Sequence, residues 1–453
     1  MTTVRRCAAA LAASAVLGVA LAPAAHAGGD VPVTPAPSAP PASSPAPDAS
    51  SPSTSSSPPS SSPSPSKSKP ASAGLPAGLY GTKDPTYDGV WRQSLAFLGQ
   101  YTGGYKPANQ AVTWLKGQQC ANGAFPAYRA DPTTPCDATT AVDSNATAAA
   151  VQALSSLGGQ RPAMRRAVAW LRSVQNADGG WSYTPGTPSD ANSTSLVIGA
   201  FTAAGVRPSS VRSPEGKNAY DALVGLAIPC EPGADAGAFA YQPDAAGRLS
   251  ANEDATGAAV LAGLGKRMVT APVPPGPAPD CVRTAAPSPE RAARNGAAHL
   301  VSALGPSGHL VQPPLPGTDD STPLPDVGNT ADAVVALAAA GYGNQAAQAL
   351  EWLKTNAAGW AEENGPAAYA QLLFAAHATD TDPRDFGGVD LVQRLNATGP
   401  TPTPLPSPSA SATTASAADD AAGPVLPWTV GIALAACAGL GLLIRRRGRA
   451  RRS

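Results

Sequence analysis

One pattern constrains this chain more than any other feature. Ala111-Val-Thr-Trp114-Leu115, followed by Gln119 and Gly123-Ala-Phe125, returns 56 residues later as Ala167-Val-Ala-Trp170-Leu171, Gln175 and Gly179-Gly-Trp181. Weaker copies run from Ala219 to Phe239, from Ala297 to Leu310, and from Ala349-Leu-Glu-Trp352-Leu353 to Gly359-Trp360. Sequence self-similarity at a fixed period marks an array of supersecondary units. A second segment follows each of the first four copies, opening at Asp143-Ser-Asn-Ala-Thr147, Asp190-Ala-Asn-Ser-Thr194, Asn252-Glu-Asp-Ala-Thr256 and Asp326-Val-Gly-Asn-Thr330. Apolar residues three, four and seven apart then give amphipathic helices. The leading Asp or Asn can accept from first-turn amides, and a trailing Gly (Gly158, Gly205 or Gly341) can end the helix. Each unit reads as helix, aromatic-bearing turn, helix.

Half-units remain at the two ends. Asp88 to Gly99 resembles a second helix and Phe386 to Leu395 a first helix, so pairing them completes a sixth unit and closes the stack into a ring. Closure removes the exposed end repeats that open solenoids must cap. The expected fold class is all-α, an α/α toroid of about six helix pairs over residues 75–397.

The flanks are of another kind. Residues 1–27, with Arg5 and Arg6 before an apolar run and Ala25-His26-Ala27 at its end, read as a signal peptide. Residues 28–74 and 398–424 are rich in Pro, Ser, Ala and Thr and read as disordered spacers. Residues 425–444 carry no charge, and a helix of that length crosses a hydrocarbon core of about 30 Å. Six arginines among the last nine residues, in the tail 445–453, mark the cytoplasmic side. The expectation is a single-pass membrane protein with an extracellular ectodomain. Leu426-Pro427-Trp428-Thr429 matches four of five positions of a sortase signal, which keeps attachment to a cell wall open as the alternative; Val430 stands where that signal has glycine.

Formal charge is zero over the whole chain, but the signal and the tail hold eight of its 31 basic residues, leaving 23 against 31 acidic residues outside. An acidic ectodomain argues against nucleic acid as a partner. Apart from Cys7 and Cys437, the cysteines are Cys120, Cys136, Cys230 and Cys281, and an even number in an exported protein favours two disulfides. Three pairings are open, of which the sequence-local one, Cys120–Cys136 with Cys230–Cys281, is expected. Zinc is the competing reading, without Cys-x-x-Cys spacing to support it.

The segment Arg166-Ala167, Trp170-Leu171, Gln175, Gly179-Gly180-Trp181 resembles the QW motif of the squalene cyclase and prenyltransferase β-subunit superfamily, and the repeats of residues 84–397 are similar to those of that superfamily. The resemblance implies inner helices that begin at a central cavity, where bacterial cyclases carry D-x-D-D-T with the middle Asp as the proton donor. Pro325-Asp326-Val327-Gly328-Asn329-Thr330 resembles that motif, with Gly328 in the slot of the acid and Asn329 beside it. Only Asp254 offers a carboxylate in the equivalent slot of another repeat, so cyclase chemistry is disfavoured and no catalytic residue is favoured; Asp254 is the alternative general acid. The zinc ligands of prenyltransferases and the thioester of complement-like relatives also lack counterparts, and no metal is expected.

What remains is a set of ligand-binding candidates around one mouth of the ring: Phe125, Tyr128, Asn145, Trp181, Tyr183, Asn192, Phe239, Tyr241, Asp254, Asn329 and Trp360. Aromatics beside amides suit a small-molecule concavity, and stacking between repeats is the competing role for each aromatic. Resemblance to the transcobalamin-like, non-catalytic branch implies a surface binding module for a corrinoid, a lipid or a wall component, handing its ligand to a membrane transporter or a second surface protein; the second, closing domain of that branch has no counterpart here. An enzyme on the same ring, terpenoid cyclase-like through Asp254 or glycan-active through paired acids such as Asp190 and Glu363, is the alternative. A structural or adhesive role through the Pro-rich excursions at 269–289 and 311–325 is the third.

Overall fold

The computed structural model describes residues 75–312 and 323–406. Twelve α-helices lie among the described residues: α1 (Gly89–Thr102), α2 (Asn109–Gly117), α3 (Ser144–Leu157), α4 (Arg161–Ser173), α5 (Ala191–Ala203), α6 (Ala219–Gly225), α7 (Glu253–Gly263), α8 (Pro289–Leu304), α9 (Val327–Ala339), α10 (Gly343–Asn364), α11 (Pro366–Ala378) and α12 (Leu391–Asn396). The odd-numbered helices each pack on the next, and α11 packs on α1, so the inner helices form a closed ring. The even-numbered helices lie outside, each against the inner helix before it. This is the expected α/α toroid of six helix pairs.

Composition explains which helix goes where. In α4 the residues Ala163, Ala167, Val168, Trp170 and Leu171 are buried, while Arg161, Arg165, Arg166 and Arg172 remain on the outer side. One apolar stripe is what an outer helix has to bury. Inner helices are covered on both flanks and from behind, and α11 accordingly buries Ala368, Ala370, Leu372, Leu373, Ala375 and Ala376 around most of its circumference. Alanine at so many positions lets neighbouring inner helices approach closely.

The same polar latch secures four of the inner helices. The carboxylate or amide before each helix accepts from a first-turn N–H: Asp143 from Ala146, Asp190 from Ser193, Asn252 from Ala255 and Asp326 from Asn329. Four residues after each cap, a buried threonine hydroxyl accepts the backbone N–H of the preceding turn. Thr147 takes Phe125 (2.9 Å), Thr194 takes Trp181 (3.0 Å), Thr256 takes Phe239 (2.9 Å) and Thr330 takes Leu310 (3.0 Å). The turn residue is thereby drawn inside: Phe125, Trp181 and Phe239 are all fully buried. Trp181 also donates from Nε1 to Leu171 O at 2.7 Å and meets Phe201 edge to face at 5.6 Å.

Two glycines do what no other residue allows. At Gly179, φ is +91° and a Cβ would stand 2.3 Å from Asn218 O, so the turn touches the backbone leading into the next outer helix. At Gly265, φ is +65°, its N–H reaches Ala262 O and the Lys266 N–H reaches Leu261 O (both 2.8 Å), which is the Schellman ending of α7.

Closure uses parts the sequence did not announce. Gly78-Leu79-Tyr80 forms the turn of the sixth unit, with the Tyr80 N–H donating to Gln93 Oε1 (2.9 Å) where other units use threonine. Past residue 397 the chain stays packed: Gly81 N–H donates to Thr398 O, the Tyr80 hydroxyl to Pro400 O, and β1 (Tyr105–Lys106) pairs antiparallel with β4 (Thr403–Pro404). A second antiparallel pair, β2 (Leu310–Val311) with β3 (Pro325–Asp326), brackets residues outside the description. The fifth copy departs from expectation, because α10 runs unbroken through Gly359 and Trp360, and Trp360 is a helical residue rather than part of a turn. Pro366 at the first turn of α11 follows α10 with only Gly365 between, leaving no length for a turn and cap.

The disulfides are Cys120–Cys136 and Cys230–Cys281, the local pairing. Among the described residues no helix is long and apolar enough to cross a membrane. The signal peptide 1–27, the spacer 28–74, the span 425–444, the tail 445–453 and most of the spacer 398–424 lie outside the described residues.

Thr194→Val keeps the shape of the latch and leaves the buried Trp181 N–H without an acceptor, for an expected loss of about 1–3 kcal/mol. Thr194→Ser should recover much of it, and Tyr87→Ala, at 78% exposure, should stay within about 0.5 kcal/mol. Denaturant unfolding of the three variants checks this, and a Thr194→Val as stable as Tyr87→Ala removes the latch from the account.

Candidate functional site

The ring encloses a lumen of about 230 Å³ whose walls come from α1, α3, α5, α7, α9 and α11. Helical spacing sorts its lining into levels. First-turn residues Trp91, Asn145, Asn192 and Asp254 stand at the mouth; Leu95, Ser195, Asp332 and Gln371 lie about a turn deeper; Gln152, Leu261, Val335 and Phe374 lie deeper again. The floor is crossed by Lys266-Arg267-Met268, the segment released by the Schellman turn of α7. Met268 N–H donates to Gln152 Oε1 at 3.2 Å, which fixes this segment against α3.

Two carboxyls face the lumen. Asp254 in the first turn of α7 accepts from Asn192 Nδ2 at 2.5 Å, and Asp332 in α9 accepts from Gln371 Nε2 at 3.1 Å. Enclosure inside the ring pushes Asp254 up to about 6; the Asn192 hydrogen bond opposes this, and Asp326 and Asp190 add to it. Asp332 is pushed up to about 7, again chiefly by desolvation and then by the charge of Asp254. Asp254 is open to lumen water while Asp332 is only partly exposed, so screening trims the shift of Asp254 more. Asp332 thus feels the charge of Asp254, while the charges felt by Asp254 are those of Asp326 and Asp190.

Around them, acceptor atoms lack partners. Asn145 Oδ1, Asn192 Oδ1 and Ser195 Oγ are buried with no hydrogen bond in the protein, and Ser195 is 6% exposed. Buried polar atoms are normally satisfied, and all three belong to lumen-lining residues. A ligand rich in hydroxyl groups would complete them.

The structure divides the sequence-predicted candidates. Asn145, Asn192 and Asp254 converge on the lumen. Phe125, Trp181 and Phe239 do not, since the threonine latches draw them into the packing between repeats. Tyr128 stacks on Trp114 with centroids 6.4 Å apart. Tyr183 and Tyr241 are each 39% exposed, and their hydroxyls feel the helix-capping carboxyls of Asp143 and Asp190. Asn329 folds back on its own cap, donating from Nδ2 to Asp326 Oδ2 at 2.8 Å. Trp360 lies against Gly328, where a Cβ would be 3.4 Å from the indole, and does not line the lumen.

The acid pair of Asp190 and Glu363 is not formed. Asp190 is committed to capping, accepting from Ser193 N, Ser193 Oγ and Tyr183 N, and Glu363 is exposed on the outer helix α10. Asp143 is pushed up to about 7 by burial, but it too is a cap, accepting from the Ala146 N–H. Asp332 is the partner that sequence reasoning missed. Its signal was available: it is the one charged residue of α9, three positions after Asn329 on the same helical face, in a run that is otherwise Ala, Val and Leu. Among the described residues no cluster of His, Cys, Asp and Glu suits a metal ion.

No protein-family model matches the chain, and no curated protein is similar to it at a significant level. Among solved structures, a protein from Actinoplanes is similar at 18% identity over 68% of this chain and 79% of its own, with a TM-score of 0.38. A wild-type glycosidase is similar at 14% identity over 64% of this chain and 87% of its own, TM-score 0.40, and a sugar epimerase from a ruminal bacterium at 16% over 61% and 80%, TM-score 0.37. Likeness at this level assigns no activity.

The raised carboxyl of Asp332 has a consequence for stability. An unfolded Asp releases its proton near pH 3.9, whereas the native one holds it to about 7, so between these values folding takes up protons and stability falls as pH rises. Asp332→Asn should therefore raise the melting temperature at pH 8 and leave it nearly unchanged at pH 4. Thermal scans at the two pH values read this, and an equal shift at both contradicts it.

Proposed function

We propose that this chain is an acid–base enzyme built on an α/α toroid, acting on a glycosidic or similarly polyhydroxylated substrate that enters the lumen. The observation that carries this reading is the placement of Asp254 and Asp332 on adjacent inner helices, facing one lumen, both held above the usual carboxylate range. Paired carboxyls near neutrality can divide the roles of acid and base. In glycoside cleavage, the protonated carboxyl of Asp332 would give its proton to the leaving oxygen. The carboxylate of Asp254, oriented by Asn192, would take a proton from the attacking water as its oxygen bonds to the anomeric carbon. The unpartnered oxygens of Asn145, Asn192 and Ser195 would accept from substrate hydroxyls.

Size supports this reading over a corrinoid ligand. A lumen of about 230 Å³ falls below the roughly 300–1,000 Å³ of sites for drug-sized molecules, and a corrin macrocycle exceeds those molecules. A binding module that holds the same polyhydroxy ligand without turnover is the second reading, favoured by the spare acceptors alone. Kinship with squalene cyclase-type repeats rests on the Trp170, Gln175 and Trp181 pattern. Two disulfides and the acidic balance outside the tail support an exported toroid tethered through 425–444, with sortase attachment as the alternative.

The purified chain should release reducing ends from a panel of aryl glycosides and oligosaccharides, with a bell-shaped rate profile peaking near pH 6–7. Asp254→Asn and Asp332→Asn should each lower the rate at least about a hundredfold while the fold is retained. Binding without turnover moves the protein to the second reading, and variants as active as the parent remove the acid pair.

A further inference from the structure

The lumen is electrically lopsided. Its mouth and middle carry Asp254 and Asp332, with the Asp326 charge close enough to be felt by both, whereas Lys266 and Arg267 belong to its floor. From Asp254 to the end of α7 at Gly263 is nine residues, about 14 Å of helix, so the two signs occupy different depths. Among the described residues neither cation has an ion-pair partner, as is true of most Lys and Arg there. Their position is built rather than loose: the Schellman turn sets Lys266, Met268 N–H is tied to Gln152, and Thr270 is 6% exposed. A cation just past a helix end commonly answers the negative end of the helix dipole. That accounts for Lys266; it does not account for Arg267 one residue on, or for both lining the lumen.

Resting on the reading of the lumen as a polyhydroxy-substrate site, we infer that its substrate is an acidic sugar, whose carboxylate or phosphate is held at Lys266 and Arg267 while its hydroxyl-bearing part lies between Asp254 and Asp332. A guanidinium takes either oxyanion in two parallel hydrogen bonds, and an ammonium adds a point charge. Asn145 Oδ1 and Asn192 Oδ1 accept, so they suit hydroxyl donors and repel an anion at the mouth. Opposite signs at the two ends give the substrate one orientation, anionic end first.

The test is calorimetric titration of the full-length chain with glucose, galactose and mannose, with their uronates and 6-phosphates, and with inorganic phosphate. At least one acidic sugar should bind at least about tenfold tighter than its neutral parent, the effect of one charge-assisted hydrogen bond, and the preference should weaken with salt. The uronates and the 6-phosphates separate a carboxylate ligand from a phosphate. Lys266→Gln with Arg267→Gln should abolish the preference; Arg267→Glu, at the exposed member, repeats the measurement if the double variant melts early. Equal binding of neutral and acidic sugars overturns the inference and leaves the acid-pair reading standing. A preference that survives the variants overturns the assignment to the floor. No binding of any sugar, together with no turnover, overturns both readings.

Discussion

The threonine hydroxyl four residues after each cap is the interaction on which the rest of the ring depends. It is a short group that accepts from the turn before the helix while donating to a backbone carbonyl, as Thr147 does to Asp143 O at 2.8 Å and Thr256 to Asn252 O at 2.7 Å. One residue thereby fixes the distance between a turn and a helix start, and fixes it equally in successive units. Phe125, Trp181 and Phe239 are then placed in the same relation to their neighbours, and a ring rather than an irregular stack results. Where threonine is replaced, a longer side chain fills in, as Gln93 does for Tyr80 at the point of closure.

Equal spacing of helix starts also determines the chemistry of the mouth. Residues two places past each cap stand at similar heights around one axis, so Asn145, Asn192 and Asp254 meet although the chain separates them by some fifty residues or more. Small residues behind them keep the inner helices close and the lumen narrow, with Gly199 and Gly257 on its wall. Narrowness is what raises Asp332: in a confined space it loses water and feels the charge of Asp254. The Ala-rich composition of the inner helices and the perturbed acidity of Asp332 are in this sense one property.

The toroid was legible in the sequence because its devices are local and repeated. Caps, latching threonines and terminal glycines recur at fixed offsets, and closure followed from two half-units that needed each other. The site was legible only in part. Asn145, Asn192 and Asp254 were found by their place at helix starts, but the same logic pointed to Asn329, whose side chain turns back onto Asp326 instead. Asp332 lies one turn deeper, where depth along an inner helix decides what faces the lumen and repeat alignment gives no mark. The aromatics failed for an energetic reason: Trp181 is worth more packed edge to face on Phe201 than standing in water at a mouth. Trp360 failed because α10 never breaks to make a turn.

The Cys230–Cys281 bond spans 51 residues, and within that covalent loop lie both α7, with Asp254 in its first turn, and the floor segment Lys266-Arg267-Met268. One acid of the pair and the entire positive end of the lumen are therefore carried on a single cross-linked unit, while Asp332 comes from outside it. Sulfur oxidation thus bears on assembly of the lumen: a polypeptide kept reduced loses the covalent tie across the loop that carries this wall and base. Competence of the cavity is coupled to the oxidation state of one pair of sulfurs.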